Sequence, residues 1–143
     1  MKIINRRAKY DYSLLEEFEA GIVLTGPEVK SLKAGHASLA ESFVKMIDGQ
    51  AWLLNAHVNP YPYADNRDYD PRRSRKLLLH KKELLKIQQK IKEKSLTIVP
   101  LSCYTKGRNL KLKIALAKGK KGYEKREVIK KRDIEREVER ELA

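Results

Sequence analysis

At 143 residues and 16.6 kDa the chain has room for one domain and one hydrophobic core, and a hydrophobic content of 41% excludes wholesale disorder. With 32 Lys and Arg against 19 Asp and Glu, the formal net charge is +13, which points to a polyanionic partner, either nucleic acid or an anionic membrane face. The single cysteine, Cys103, excludes an internal disulfide framework and a Cys-based zinc finger, no apolar run approaches the ~20 residues that span a bilayer, and Met1–Arg7 turns polar before a signal-peptide core can form. A soluble, cytoplasmic protein is expected.

Tyr10 to Thr25 reads as a strand region: Tyr10, Tyr12 and Leu14 alternate with Asp11 and Ser13, and Ala20–Thr25 is a short, largely apolar run. A helix starts next, because Thr25 and Glu28 have capping-box spacing and Pro27 stands in a first turn, where its missing N–H is tolerated. Val29 and Leu32 share one face of it, and Gly35 supplies the stop. Phe43–Ile47 and Ala51–Val58 flank Asp48-Gly49-Gln50, where the Asp-Gly pair is a hairpin signal. Pro60–Ser74, rich in Pro, Asp and Tyr, predicts a long loop. Lys81–Lys94 predicts a helix with Leu84, Ile87 and Ile91 on one face and Lys82, Lys86, Lys90 and Lys92 largely away from it.

Leu96–Tyr104 is strand-like, and Pro100 within it requires an edge or a bulge. After a turn at Lys106–Asn109, Leu110–Ala117 alternates, so its apolar members face a core while Lys111 and Lys113 project from the opposite side. The sum is a mainly β domain over residues 1–118: a small, closed or partly closed barrel of the oligonucleotide-binding type with two or three flanking helices. Residues 119–143 form a basic C-terminal tail whose few aliphatics bury too little to hold a helix on the body, so it is expected to be mobile when free and helical when docked.

The charge is unevenly placed. Residues 1–66 carry 7 basic and 8 acidic side chains, residues 67–94 carry 11 and 4, and residues 106–143 carry 14 and 7, so the excess lies wholly in the second half. Within the tail, residues 118–132 hold 8 basic and 2 acidic groups, whereas 133–143 hold 2 and 5, which makes the near part the binder. A solvated Lys-rich surface is the plain alternative, but the excess is larger than solubility asks of a small domain.

No set of residues specifies a reaction. His36, His57 and His80 fall in three separate elements, Cys103 lies among strand-like aliphatics as a buried thiol would, and Lys118-Gly119-Lys120-Lys121-Gly122 lacks the spacing of a phosphate loop. A non-enzymatic protein without a metal or other cofactor is expected. The cluster Arg72-Arg73-Ser74-Arg75-Lys76 offers long cations for phosphate, with Arg75 and Lys76 as candidate RNA contacts. Tyr61, Tyr63 and Tyr69, with Tyr10 and Tyr12, present faces on which unpaired bases stack, packing at a barrel rim being their alternative role. Point charges with a few aromatics suit folded RNA better than a groove-reading helix, and helix-turn-helix and zinc-finger signatures are missing.

Three blocks carry a family resemblance: Ala20–Gly35 (AGIVLTGPEVKSLKAG), Asp70–His80 (DPRRSRKLLLH) and Ala117–Arg126 (AKGKKGYEKR). In order and spacing the chain, from about Asn5 to its end, resembles small protein B, the bacterial SsrA-binding protein family. The resemblance implies an oligonucleotide-binding-type barrel that binds the tRNA-like domain of transfer-messenger RNA in place of a missing anticodon arm. It further implies a monomer that works with stalled ribosomes in trans-translation, without membrane contact, its tail in the empty mRNA channel near the decoding region and its rRNA. Carried over by position, Asn5, Tyr12, Glu19, Leu78, His80 and Lys111 match RNA-binding positions, and Gly119, Lys120, Lys121, Tyr123, Glu124, Lys125 and Arg126 match the ribosome-engaging tail segment. Pro27, Lys33 and His80 stand where other side chains are frequent in the family, without loss of cationic or hydrogen-bonding capacity. A general single-stranded-RNA-binding barrel or a ribosomal structural protein is the alternative.

Overall fold

Residues 1–119 are described by a computed structural model, in which they build nine strands and three helices. In chain order these are β1 (Lys2–Ile4), α1 (Ala8–Asp11), β2 (Tyr12–Ile22), α2 (Gly26–Lys33), β3 (Ala37–Ser38), β4 (Phe43–Ile47), β5 (Gln50–Leu54), β6 (His57–Val58), β7 (Arg75–Leu78), α3 (Lys81–Lys94), β8 (Thr97–Lys106) and β9 (Asn109–Gly119). The hydrogen-bonded order β8-β4-β5-β7-β2-β9 returns to β8, so six antiparallel strands close into a ring, with β1 added outside on β8 and β3–β6 as a separate ribbon. The mainly β barrel with flanking helices is therefore the architecture observed.

Alternation builds the interior. Phe18 and Ala20 of β2, Leu53 of β5, Leu77 of β7, Ile98 of β8 and Leu112, Ile114 and Leu116 of β9 point inward and are buried. Leu84 and Ile87 of α3 join the same cluster, so that helix packs on the barrel by the face its spacing predicts; α2 joins through Leu32, but the rest of its buried face is Glu28 and Ser31, and Val29 stays half-buried outside the cluster. The lysine side of β9 has its own cover farther along: Ala117 packs with Ala8 and Val99 in a second small cluster flanked by Tyr12, Leu14 and Leu101.

Local signals hold where they are strong. Thr25 and Glu28 form the reciprocal capping box of α2: the Glu28 N–H donates to Thr25 Oγ1 at 3.4 Å and the Thr25 N–H to Glu28 Oε1 at 3.0 Å. Asp48 and Gly49 both take positive φ, 50° and 75°, the two-residue turn whose twist suits a hairpin. α3 spans the residues its periodicity predicts, and Pro60–Ser74 holds no regular element. Pro100 sits at a bulge, where the register of β8 against β9 shifts between Pro100 and Ser102; β8 also pairs with β1 and β4, so the bulge rather than an edge accommodates the proline.

Two expectations change. Tyr10 and Asp11 belong to a helical turn, not to the strand, because the Arg7 carbonyl accepts both their N–H groups, at 3.1 and 2.9 Å, while Ala8 is buried against β8 and β9. The hairpin arm expected over Ala51–Val58 is cut in two: β5 ends at Leu54, Asn55 takes a positive φ of 62°, and His57–Val58 pairs with β3 instead of β4, whereas β1, β3 and β7, at two to four residues, are too short to show a period and are made by tertiary pairing.

Candidate nucleic-acid interface

Cross-strand register assembles one outward face from five strands. Leu78 of β7 stands opposite Gly21 of β2, Gly21 opposite Lys111 of β9, Lys111 opposite Tyr104 of β8, and Tyr104 opposite Lys2 of β1. A parallel row runs Glu19, Lys113, Ser102 and Ile4. Neighbours within a row lie about 4.5–5.5 Å apart, close enough to act on one ligand together. Leu78, which strand alternation turns outward, is 54% exposed. Gly21 makes room for it, since a Cβ there would come within 3.2 Å of the Leu78 Cβ, and the result is a groove lined by Gly21, Leu24, Leu78, Arg108 and Lys111.

The acids on this face are held by its donors. The Tyr104 hydroxyl and, at 3.1 Å, the Lys106 Nζ donate to the Glu19 carboxylate, and these two bonds hold its pKa below the ordinary value. Desolvation and then Glu19 itself push the Tyr104 phenol up to about 12, so at neutral pH it remains a donor. Lys113 pairs with Glu17 at 3.7 Å. Lys2, Lys106, Arg108, Lys111 and Lys113 thus outnumber Glu17 and Glu19, and the strip is net positive. Asn5 reaches it from the N-terminal segment: its side-chain amide donates to the Pro100 carbonyl at 2.9 Å, and its main-chain N–H to that of Leu101 at 2.8 Å, fixing it at the β8 bulge.

The structure therefore brings Glu19, Leu78, Lys111 and Asn5 onto one side. Lys76 points outward two residues before Leu78, and His80, exposed, occupies the N-cap of α3. Tyr12 stands apart, at the far end of β2 opposite Gly119, against the Ala8 cluster. Gly119 ends β9; Lys120, Lys121, Tyr123, Glu124, Lys125 and Arg126 lie outside the described residues, as does the expected helix of the tail. Sequence reasoning missed Tyr104 and Lys106, although Ser102, Tyr104 and Lys106 alternate after the bulge and that spacing was the available signal.

Arg75 is a correction. It is 0% exposed, and all five of its N–H donors are taken: Nε bonds Glu28 at 2.7 Å, Nη1 the carbonyls of Ala56 and Arg73, and Nη2 the Pro71 carbonyl and the Tyr69 hydroxyl. No donor remains for a phosphate. Arg73 grips the same carboxylate, so the clustered arginines are largely internal scaffolding. Glu28 is 1% exposed; burial would raise its pKa, but the Arg73 bonds, the Thr25 N–H and Arg75 together outweigh burial and hold it at about 2. The network ties α2 to the 60–74 loop, and it also occupies Tyr69, whose hydroxyl lies 2.9 Å from the Val58 carbonyl. Tyr61 and Tyr63 remain at the surface, packed edge to face.

Cys103 is buried, and burial pushes its thiol to about 11, as expected of an inert packing residue. His36 and His57 fall on adjoining segments of the β3–β6 ribbon and His80 caps α3, and among the described residues no group of three or more His, Cys, Asp or Glu is placed to hold a metal ion. No helix of the described residues is long and apolar enough to cross a membrane.

Comparison with known proteins gives the chain a family. The family model of the SmpB protein matches residues 2–143. An SsrA-binding protein of Sulfurihydrogenibium sp. (strain YO3AOP1) is 57% identical over 136 residues, covering 95% of this chain and 90% of its own. Those of Carboxydothermus hydrogenoformans and Persephonella marina are 48% and 50% identical, covering 96% and 94% of this chain and 93% and 88% of theirs. A solved structure described as "tmRNA-SmpB: a journey to the center of the bacterial ribosome" superposes with a TM-score of 0.69 at 47% identity, over 85% of each chain. With a family match along nearly its whole length, and relatives this similar spanning it, the chain belongs to the SmpB protein family.

Proposed function

We propose that the chain is an RNA-binding factor of ribosome rescue: it holds the tRNA-like domain of transfer-messenger RNA and accompanies it to the stalled ribosome in trans-translation. The observation that carries this reading is the convergence of Glu19, Leu78 and Lys111 on one outer sheet face, in a chain whose relatives are SsrA-binding proteins. The work is positional rather than chemical. Lys111 and its neighbours meet phosphates, Leu78 offers an apolar contact to a base or ribose, and Glu19, oriented by Tyr104 and Lys106, accepts hydrogen bonds from base or ribose donors.

The proposed division of labour assigns RNA binding to residues 1–118, which stand in for the missing anticodon arm, and ribosome engagement to 119–143. The Gly119–Arg126 segment enters the empty mRNA channel and meets the decoding region through its cations. Competition tests the RNA reading: labelled tRNA-like RNA challenged by excess unstructured RNA at physiological salt. Retention of the tRNA-like RNA is the expected result. Equal displacement by any single strand would favour a general single-strand-binding barrel instead.

A further inference from the structure

Farther round the barrel, β4, β5 and β7 carry outward side chains outside the face described above. In register, Lys45 of β4 stands beside Trp52 of β5, and Trp52 beside Lys76 of β7. Phe43 faces Leu54 one row away, which places Phe43 and Trp52 on a diagonal roughly 7–8 Å long, within reach of two aromatic rings. Phe43 is 45% exposed and Trp52 half-buried. Among the described residues neither the Lys45 nor the Lys76 ammonium has a hydrogen-bond or ion-pair partner, and the outward positions of these three strands include no acid.

We propose that this face, centred on Trp52, takes an unpaired segment of the same RNA that engages Lys111, one base stacking on the indole with Phe43 as a second ring, and Lys45 and Lys76 meeting the adjoining phosphates. The inference rests on the RNA-binding reading above. Two cations without partners flanking a flat ring match a nucleotide's phosphate and base at once, and diagonal aromatics on an outer sheet face accept successive bases whatever their sequence. Continuity fixes the source. Lys76 and Leu78 are two apart on β7 and share its outward side, and from Trp52 to Lys111 the sheet crosses three inter-strand steps, about 14 Å, which one strand of RNA bridges.

Trp52 is the chain's only tryptophan, so its fluorescence reports on this face alone. The full chain is titrated with labelled tRNA-like RNA, following label anisotropy and tryptophan emission together. Emission should be quenched with the same midpoint as the anisotropy. Trp52→Leu should weaken binding roughly 5- to 150-fold, the worth of one stacked base. Lys45→Ala, at an exposed position with no packing role, should lower the slope of log affinity against log salt by about 1. Saturation by anisotropy with emission unmoved, and Lys45→Ala unchanged in affinity and slope, overturns this proposal while leaving the RNA reading intact. No anisotropy change at all overturns that reading, and this one with it. Quenching by polyglutamate as strong as by RNA at matched charge also overturns it, in favour of an acidic protein on this face.

Discussion

At the scale of single residues, what decides a cation's role is whether its donors are already used. Arg75 and Lys111 look alike in composition, yet Arg75 commits five donors inside the fold and Lys111 projects from the sheet. Arg75→Ala and Glu28→Gln should each cost about 3–5 kcal/mol of unfolding free energy, since each leaves buried charge without its counterpart. Chemical denaturation checks this. Lys111→Ala should unfold like the parent but bind the tRNA-like RNA with a salt slope lower by about 1. An Arg75→Ala variant of full stability and reduced RNA affinity would return that residue to the interface.

Glu28 also sets a pH dependence. Its folded pKa, about 2, lies below the ordinary value of 4.5, so its contribution is complete above pH 4.5 and is lost as pH falls from there through about 2. The stability gap between the parent and Glu28→Gln should narrow over that interval. A gap constant with pH would mean that the carboxylate is not held ionised by the two arginines. Of this network only the Thr25–Glu28 capping pair was legible in the sequence. Arg73 and Arg75 share a side by their spacing of two, but their partner lies 45 and 47 residues away, beyond any local pattern.

At the scale of elements, patterns of period and punctuation carried well. The capping box, the Asp48-Gly49 turn, the Pro100 bulge and the bounds of α3 follow from local chemistry that tertiary context leaves intact. Short strands did not carry, because Arg75–Leu78 has only four residues and is made a strand by its partners β5 and β2. The alternating tyrosines misled at Tyr10, where one buried alanine turned the chain into a helix. The close approach of β2 and β7 at Gly21 belongs to this scale. Gly21→Val should force Leu78 out of place, at a cost of about 1–3 kcal/mol, and weaken RNA binding beyond what the lost stability explains. Affinity measured well below the melting transition checks it, and unchanged affinity would remove the groove from the interface.

At the scale of the whole molecule, the charge excess of the second half divides in two. One part decorates β7, α3 and β9 of the closed barrel; the rest lies beyond Gly119, outside the described residues. Removing 120–143 should leave affinity for tRNA-like RNA within a few-fold of the parent and abolish rescue in a reconstituted translation assay. Loss of RNA affinity in that truncation would contradict the division of labour. Closure of the strands into a ring also bears on the proposed interface. It fixes the backbone positions from which the outward side chains project, so the proposed RNA contact would need little backbone ordering.

The most direct measurement is amide chemical-shift mapping of the full chain as tRNA-like RNA is added. Shifts concentrated at Glu19, Gly21, Leu78, Tyr104 and Lys111, with little change around Ala8, Tyr12 and Val99, are the predicted result. Shifts centred instead on the lysines of α3, with the β2–β9–β8 face silent, would contradict the account.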